Sequence, residues 1–122
     1  MTTDYSTLTD AELSERVALA CGWTKDDWTW WYPPGDVDGM HVWASPIFAS
    51  DLNAVFGPDG PAHWLKERGG RWRNSHQEVM LWSGPLAGTA YQITEIVPFR
   101  NIPNREARAF CEAFLAVVEV ES

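Results

Sequence analysis

The chain has 122 residues, 45% of them apolar, and carries a net charge of −8 from seventeen acids against nine lysines and arginines. That length suits one domain, which buries roughly two-thirds of its unfolded surface, and the composition excludes a disordered chain. No apolar run approaches the ~18 residues of a membrane span, and Met1-Thr2-Thr3-Asp4-Tyr5 lacks the basic flank and apolar stretch of a signal peptide. A cytoplasmic location and no membrane partner are therefore expected.

The first predicted element is a helix with clear ends. Thr9-Asp10-Ala11-Glu12 is a capping box, in which the Thr9 hydroxyl and the Glu12 carboxylate serve each other's backbone N–H. Leu13, Val17, Ala20 and Cys21 then share one face at helical spacing. Gly22 is placed to end the helix in a left-handed conformation, with Trp23 sealing that end.

Trp28-Thr29-Trp30-Trp31-Tyr32 has strand composition and stops at Pro33-Pro34-Gly35. As a strand it would send Trp28 and Trp30 to one face and Trp31 to the other. Asp36-Val37-Asp38-Gly39 reads as a turn. It lacks the third ligand and the terminal Glu of a calcium loop. Met40-His41-Val42-Trp43 is a second strand candidate, ended by Ser45-Pro46.

Ser50 or Asp51 caps a short helix through Phe56, which Gly57-Pro58-Asp59-Gly60-Pro61 interrupts. Helix resumes over residues 62–68 and stops at Gly69-Gly70. Residues 71–82 and 90–99 read as two strands, and their closeness in sequence favours an antiparallel pair. Asn104 caps a final helix in which Ala107, Phe110, Cys111, Phe114, Leu115 and Val118 form the apolar stripe. Arg105, Arg108, Glu112 and Glu119 lie outside that stripe. With no βαβ repeat, the order predicts an α+β fold, a small antiparallel sheet of three to four strands packed by N-terminal, central and C-terminal helices.

Three of these stretches together resemble a known family. They are Leu13 to Thr24 with its Ala-Cys-Gly-Trp-Thr ending, Pro46 to Phe56, and Ala107 to Val118. In this combination the chain resembles the small phage-encoded proteins of the phage ABA (α/β/α) sandwich family. It departs from that pattern in Ala49-Ser50-Asp51 at the central cap and in the Gly57–Pro61 break. The resemblance implies phage origin and a layered architecture, and no chemistry.

Charge and aromatic content suggest where a partner would dock. Residues 1–59 hold ten acids against Arg16 and Lys25, whereas residues 60–122 are neutral. An acidic half disfavours nucleic acid as its partner and suits a basic protein surface. Solubility alone is the plainer account of that charge. Eight tryptophans are present. Trp28, Trp30, Trp31 and Tyr32, with Asp36 and Asp38 beyond them, form the candidate protein-binding site, since Trp dominates binding hot spots. Burial of the same indoles in the core is the competing account.

The only basic cluster supplies an alternative phosphate or base contact through Lys66, Arg68, Arg71, Trp72 and Arg73, with the indole between two guanidinium groups. For catalysis the inventory is thin. There is no Gly-x-Ser-x-Gly and no phosphate-binding glycine loop, and Ser75-His76 is not a dyad by adjacency. Cys21 and Cys111 read as small buried hydrophobes, and no ligand spacing with the histidines points to zinc. No cofactor, no metal and no enzymatic activity are expected.

The sequence therefore favours a phage accessory protein that binds and inhibits a host macromolecule in the bacterial cytoplasm. It would be an anti-defence, anti-CRISPR-like inhibitor. A nucleotide or small-molecule sequestering protein and a phage structural or assembly protein are the alternatives, and a homodimer stays open.

Overall fold

The computed structural model describes residues 5–28, 30–33, 46–57, 60–75, 77–82, 94–99, 102 and 104–119. The turn expected at Asp36–Gly39 and the strand expected at Met40–Trp43 lie outside the described residues.

A single 3-10 turn, Tyr5–Thr7, leads into helix α1, Asp10–Ala20. The capping box forms as predicted, with the Glu12 amide donating to Thr9 Oγ1 at 3.1 Å and the Thr9 amide donating to Glu12 Oε1 at 3.0 Å. At the other end Gly22 adopts φ 91°. The Trp23 and Gly22 amides close onto the carbonyls of Ala18 and Leu19, the paired bonds of a Schellman motif. Trp23 is buried edge-on against Phe48, with ring centroids 5.4 Å apart.

Two short strands follow, β1 (Thr24–Lys25) and β2 (Trp31–Tyr32), paired antiparallel. The tryptophan run is thus a strand only at its end, and Trp28 and Trp30 belong to the loop joining β1 to β2.

Helix α2, Leu52–Val55, is capped by Asp51, whose carboxylate accepts from the Asn53 amide. Helix α3, Pro61–Glu67, starts one residue earlier than expected, with proline in its first turn. There the missing N–H costs nothing. Gly60 fits this junction because a Cβ would meet the backbone oxygens of Ala54 and Val55 at 2.2 and 2.4 Å.

Residues 71–82 do not form one strand. They fold into β3 (Arg71–Asn74) and β4 (Glu78–Trp82). The break is at Ser75, whose hydroxyl accepts from the Gln77 and Glu78 amides and so offers the backbone a turn in place of the ladder. Strand β5, Thr94–Pro98, pairs antiparallel with β4 as expected, which gives a three-stranded sheet in the order β3-β4-β5. The architecture is α+β, with helices packed on the sheet and two antiparallel sheets in all among the described residues.

Helix α4, Arg105–Glu119, organises the interior. It packs on β4 and β5 and also contacts α1, α2 and the first turn. Its whole apolar stripe is buried apart from the half-buried Val118. The expectation that Arg108 and Glu112 lie outside that stripe is corrected, because they are only 6% and 7% exposed. With partners on several sides, this helix has these two polar positions covered too. Arg108 survives burial by being bonded. Its guanidinium meets Asp10 Oδ1 at 2.6 Å, donates to the carbonyls of Tyr5 and Leu8, and lies 3.6 Å from Glu112. Asn104, expected as the cap of α4, donates from its amide nitrogen to Asp10 and to the Ala49 carbonyl.

Cys21 and Cys111 are free and buried. Burial pushes the Cys21 thiol up to about 12 and the Cys111 thiol well above its ordinary value, in keeping with their reading as core residues.

Removing one member of a buried charge pair leaves the other stranded and typically costs about 3–5 kcal/mol. Arg108→Ala should therefore lower stability by roughly 3 kcal/mol. Chemical denaturation should show the midpoint falling with the slope unchanged.

Candidate protein-binding hairpin

The loop between β1 and β2 is built around one carboxylate. Asp26 Oδ1 accepts from the backbone N–H of Trp28 and of Trp30, both at 2.9 Å. Its other oxygen accepts from the Tyr32 hydroxyl at 2.6 Å. The Asp26 amide donates to the Trp30 carbonyl at 3.0 Å and closes the loop. Hydrogen bonds to the charged form favour it. The Tyr32 hydroxyl first, with the Trp30 and Trp28 amides, therefore holds the Asp26 carboxyl below the ordinary aspartate range.

This arrangement decides the fate of each indole. Trp28 is 81% exposed and Trp30 46% exposed, while Trp31 on β2 is 3% exposed. Lys25, paired with Trp31 across the hairpin, places its ammonium 5.4 Å from the Trp31 ring. The alternation expected for Trp30 and Trp31 is present, but the candidate site divides. Trp28 and Trp30 project at the loop, Trp31 is consumed by the core, and Tyr32 is half-buried and bonded to Asp26. Asp36 and Asp38 lie outside the described residues. Asp26 went unrecognised at the sequence level. Its signal is an Asp two and four residues before amides that a tight turn leaves without ladder partners.

The acidic half is also partly committed. Asp10 pairs with Arg108, Glu12 closes the capping box, Asp26 holds the hairpin loop and Asp51 caps α2. Asp27, beside Trp28, is exposed.

The alternative basic site is rearranged more deeply. Lys66 and Arg68 are exposed at the end of α3, where Arg68 stacks 3.8 Å over the Trp64 ring and donates to the Trp64 carbonyl. Arg71 and Arg73 are exposed on β3, on the face of the sheet away from α4. Trp72 points the other way. Opposite the buried Leu81, it packs against Phe56 and Phe110 with ring centroids at 5.7 and 5.8 Å. The reading of Trp72 as an aromatic platform between two arginines is thus corrected, because strand neighbours point to opposite faces. The aromatic that does accompany Arg71 is Trp82, its cross-strand partner, with the guanidinium 5.1 Å from the ring.

A cavity of about 350 Å³ opens at the start of α4, lined by Ser50, Leu52, Asn104, Arg105, Glu106 and Ala107. Among the described residues no group of three His, Cys, Asp or Glu side chains is placed to hold a metal ion. No helix among them is long and apolar enough to cross a membrane.

Comparison with protein-family models, curated proteins and solved structures finds no match to this chain.

Because the folded carboxyl of Asp26 titrates low, its contribution to the loop is complete at neutral pH and is lost only as pH falls through that lowered value. Asp26→Asn should therefore loosen the loop at neutral pH, and its difference from the unmodified protein should vanish in acid. In the unmodified protein, hydrogen exchange at the Trp28 and Trp30 amides should stay slow at neutral pH and accelerate, relative to its intrinsic rate, only in acid.

Proposed function

We propose that the chain is a binding protein that docks through the Trp28–Trp30 hairpin onto a basic surface of another protein. The observation that carries this reading is the 81% exposure of Trp28 on a loop held by three hydrogen bonds to Asp26. An exposed indole brings a large apolar contact area to an interface. Held in place beforehand, it loses little freedom on binding. The net charge of −8 would accelerate encounter with a cationic partner.

In keeping with the resemblance to phage proteins, the partner in this proposal is a host protein or complex that the chain inhibits. An anti-defence role follows if that surface normally binds nucleic acid, since an acidic ligand competes with phosphate. The role proposed is binding and not catalysis.

Trp28→Ala combined with Trp30→Ala removes the exposed rings and leaves Asp26 and the buried Trp31 in place. Hot-spot truncation costs at least about 2 kcal/mol, or roughly thirtyfold in affinity. The double variant should keep its thermal unfolding midpoint but lose the partner retained by unmodified protein from bacterial lysate and identified by mass spectrometry. Equal retention of that partner by the double variant would refute the hairpin as the docking site.

A further inference from the structure

The β3-β4-β5 sheet has one face against α4 and a second face whose composition the register reveals. Val79 and Leu81 are buried and mark the α4 side. The alternate residues fall in cross-strand rows on the other side. Arg71 and Trp82 form one row, and Arg73, Met80 and Ile96 the next. Glu78 and Pro98 follow. Arg71 and Arg73 are exposed, Ile96 is 49% exposed, and Trp82 and Met80 are half-buried. The face is therefore cationic along the β3 edge and aromatic and apolar across its centre.

We propose that this face binds single-stranded nucleic acid. The guanidinium groups of Arg71 and Arg73 would take successive phosphates, and bases would lie against Trp82, Met80 and Ile96. Two residues apart on a strand, the arginines are separated by roughly 7 Å along β3, within reach of consecutive phosphates of an extended strand. Arg71 already stacks against Trp82, so phosphate-binding and base-stacking groups stand side by side. Such a combination binds single strands with little sequence preference.

The open surface bears on the choice of ligand. Small-molecule sites are concave and enclose most of the ligand, whereas these residues line an open sheet, which suits an extended chain better than a free nucleotide. The acidity of residues 1–59 argues against nucleic acid on the surface those residues form. The platform here belongs to β3, β4 and β5, in the half of the chain whose charges balance. This site is separate in residues from the Trp28–Trp30 hairpin, so either proposal can fail without the other.

The test is fluorescence anisotropy with fluorescein-labelled oligo(dT) and oligo(rU) of about twelve nucleotides, a length within the range of known single-strand sites. Binding should show a Kd on the order of 10 µM at about 50 mM salt and weaken as salt rises. Two phosphate contacts at roughly 0.7 each predict a log–log slope of about −1.4. Arg71→Ala with Arg73→Ala should weaken binding roughly tenfold or more and flatten that slope. Arg71→Lys with Arg73→Lys should restore most of both. Circular dichroism checks that each variant is folded.

The proposal is overturned if neither oligonucleotide binds at tenfold higher protein concentration. It is equally overturned if the alanine pair binds as the unmodified chain does. Dimerisation of the free protein that Ile96→Glu abolishes would assign the face to a second copy and overturn it as well.

Discussion

The interior depends on keeping a charged side chain out of water. Arg108 sits near the start of a helix surrounded by α1, α2 and the sheet, and no arginine is stable there without partners for its donors. Asp10 and the carbonyls of Tyr5 and Leu8 supply them. That requirement fixes the N-terminal turn and the first residue of α1 against α4. Asn104 adds a bond to the same Asp10 and one to Ala49, which brings in the segment leading to α2. One polar junction thereby sets the mutual placement of three stretches that are far apart in sequence, while apolar burial along α4 supplies the larger share of the driving force.

A similar economy shapes the hairpin. Its two strands contribute only two residue pairs, and so short a ladder is marginal by itself. Asp26 compensates by accepting two backbone donors and the Tyr32 hydroxyl, and Trp31 anchors the second strand in the core. The result is a loop firm enough to hold Trp28 in solvent. An indole 81% exposed gains little from burial in the free chain, and this is the physical basis for the proposal that the hairpin meets a partner. Three acceptor positions of the Asp26 carboxylate are thereby taken up within the loop.

In the sheet, the turn at Ser75 decides which side chains share a face. Once β3 and β4 fold back on each other there, Arg71 must stand opposite Trp82 and Trp72 opposite Leu81. Trp72 is then drawn into the aromatic cluster with Phe56 and Phe110, while its neighbouring arginines turn outward. Adjacency in the chain had suggested an Arg-Trp-Arg unit. The cross-strand register builds an Arg-Trp pair from residues eleven positions apart instead. Counting outward from a turn with Ser75 and Glu78 at its ends would have found that pair. The strand-like composition of residues 71–82 concealed it.

Local chemistry was legible in the sequence wherever the cause is local. The capping box at Thr9, the left-handed Gly22 sealed by Trp23, a cap at Ser50 or Asp51, the helix break before Pro61 and the apolar stripe of α4 all follow from side chains within a turn of the backbone they satisfy, and the α+β class follows from their order. Only the tertiary structure decided which polar residues of α4 are buried, which of three neighbouring indoles is buried, and which aromatic meets Arg71. Each of those outcomes depends on what packs against the element from elsewhere in the chain. A helical periodicity or a strand alternation defines faces, but only the neighbours determine which of those faces is covered.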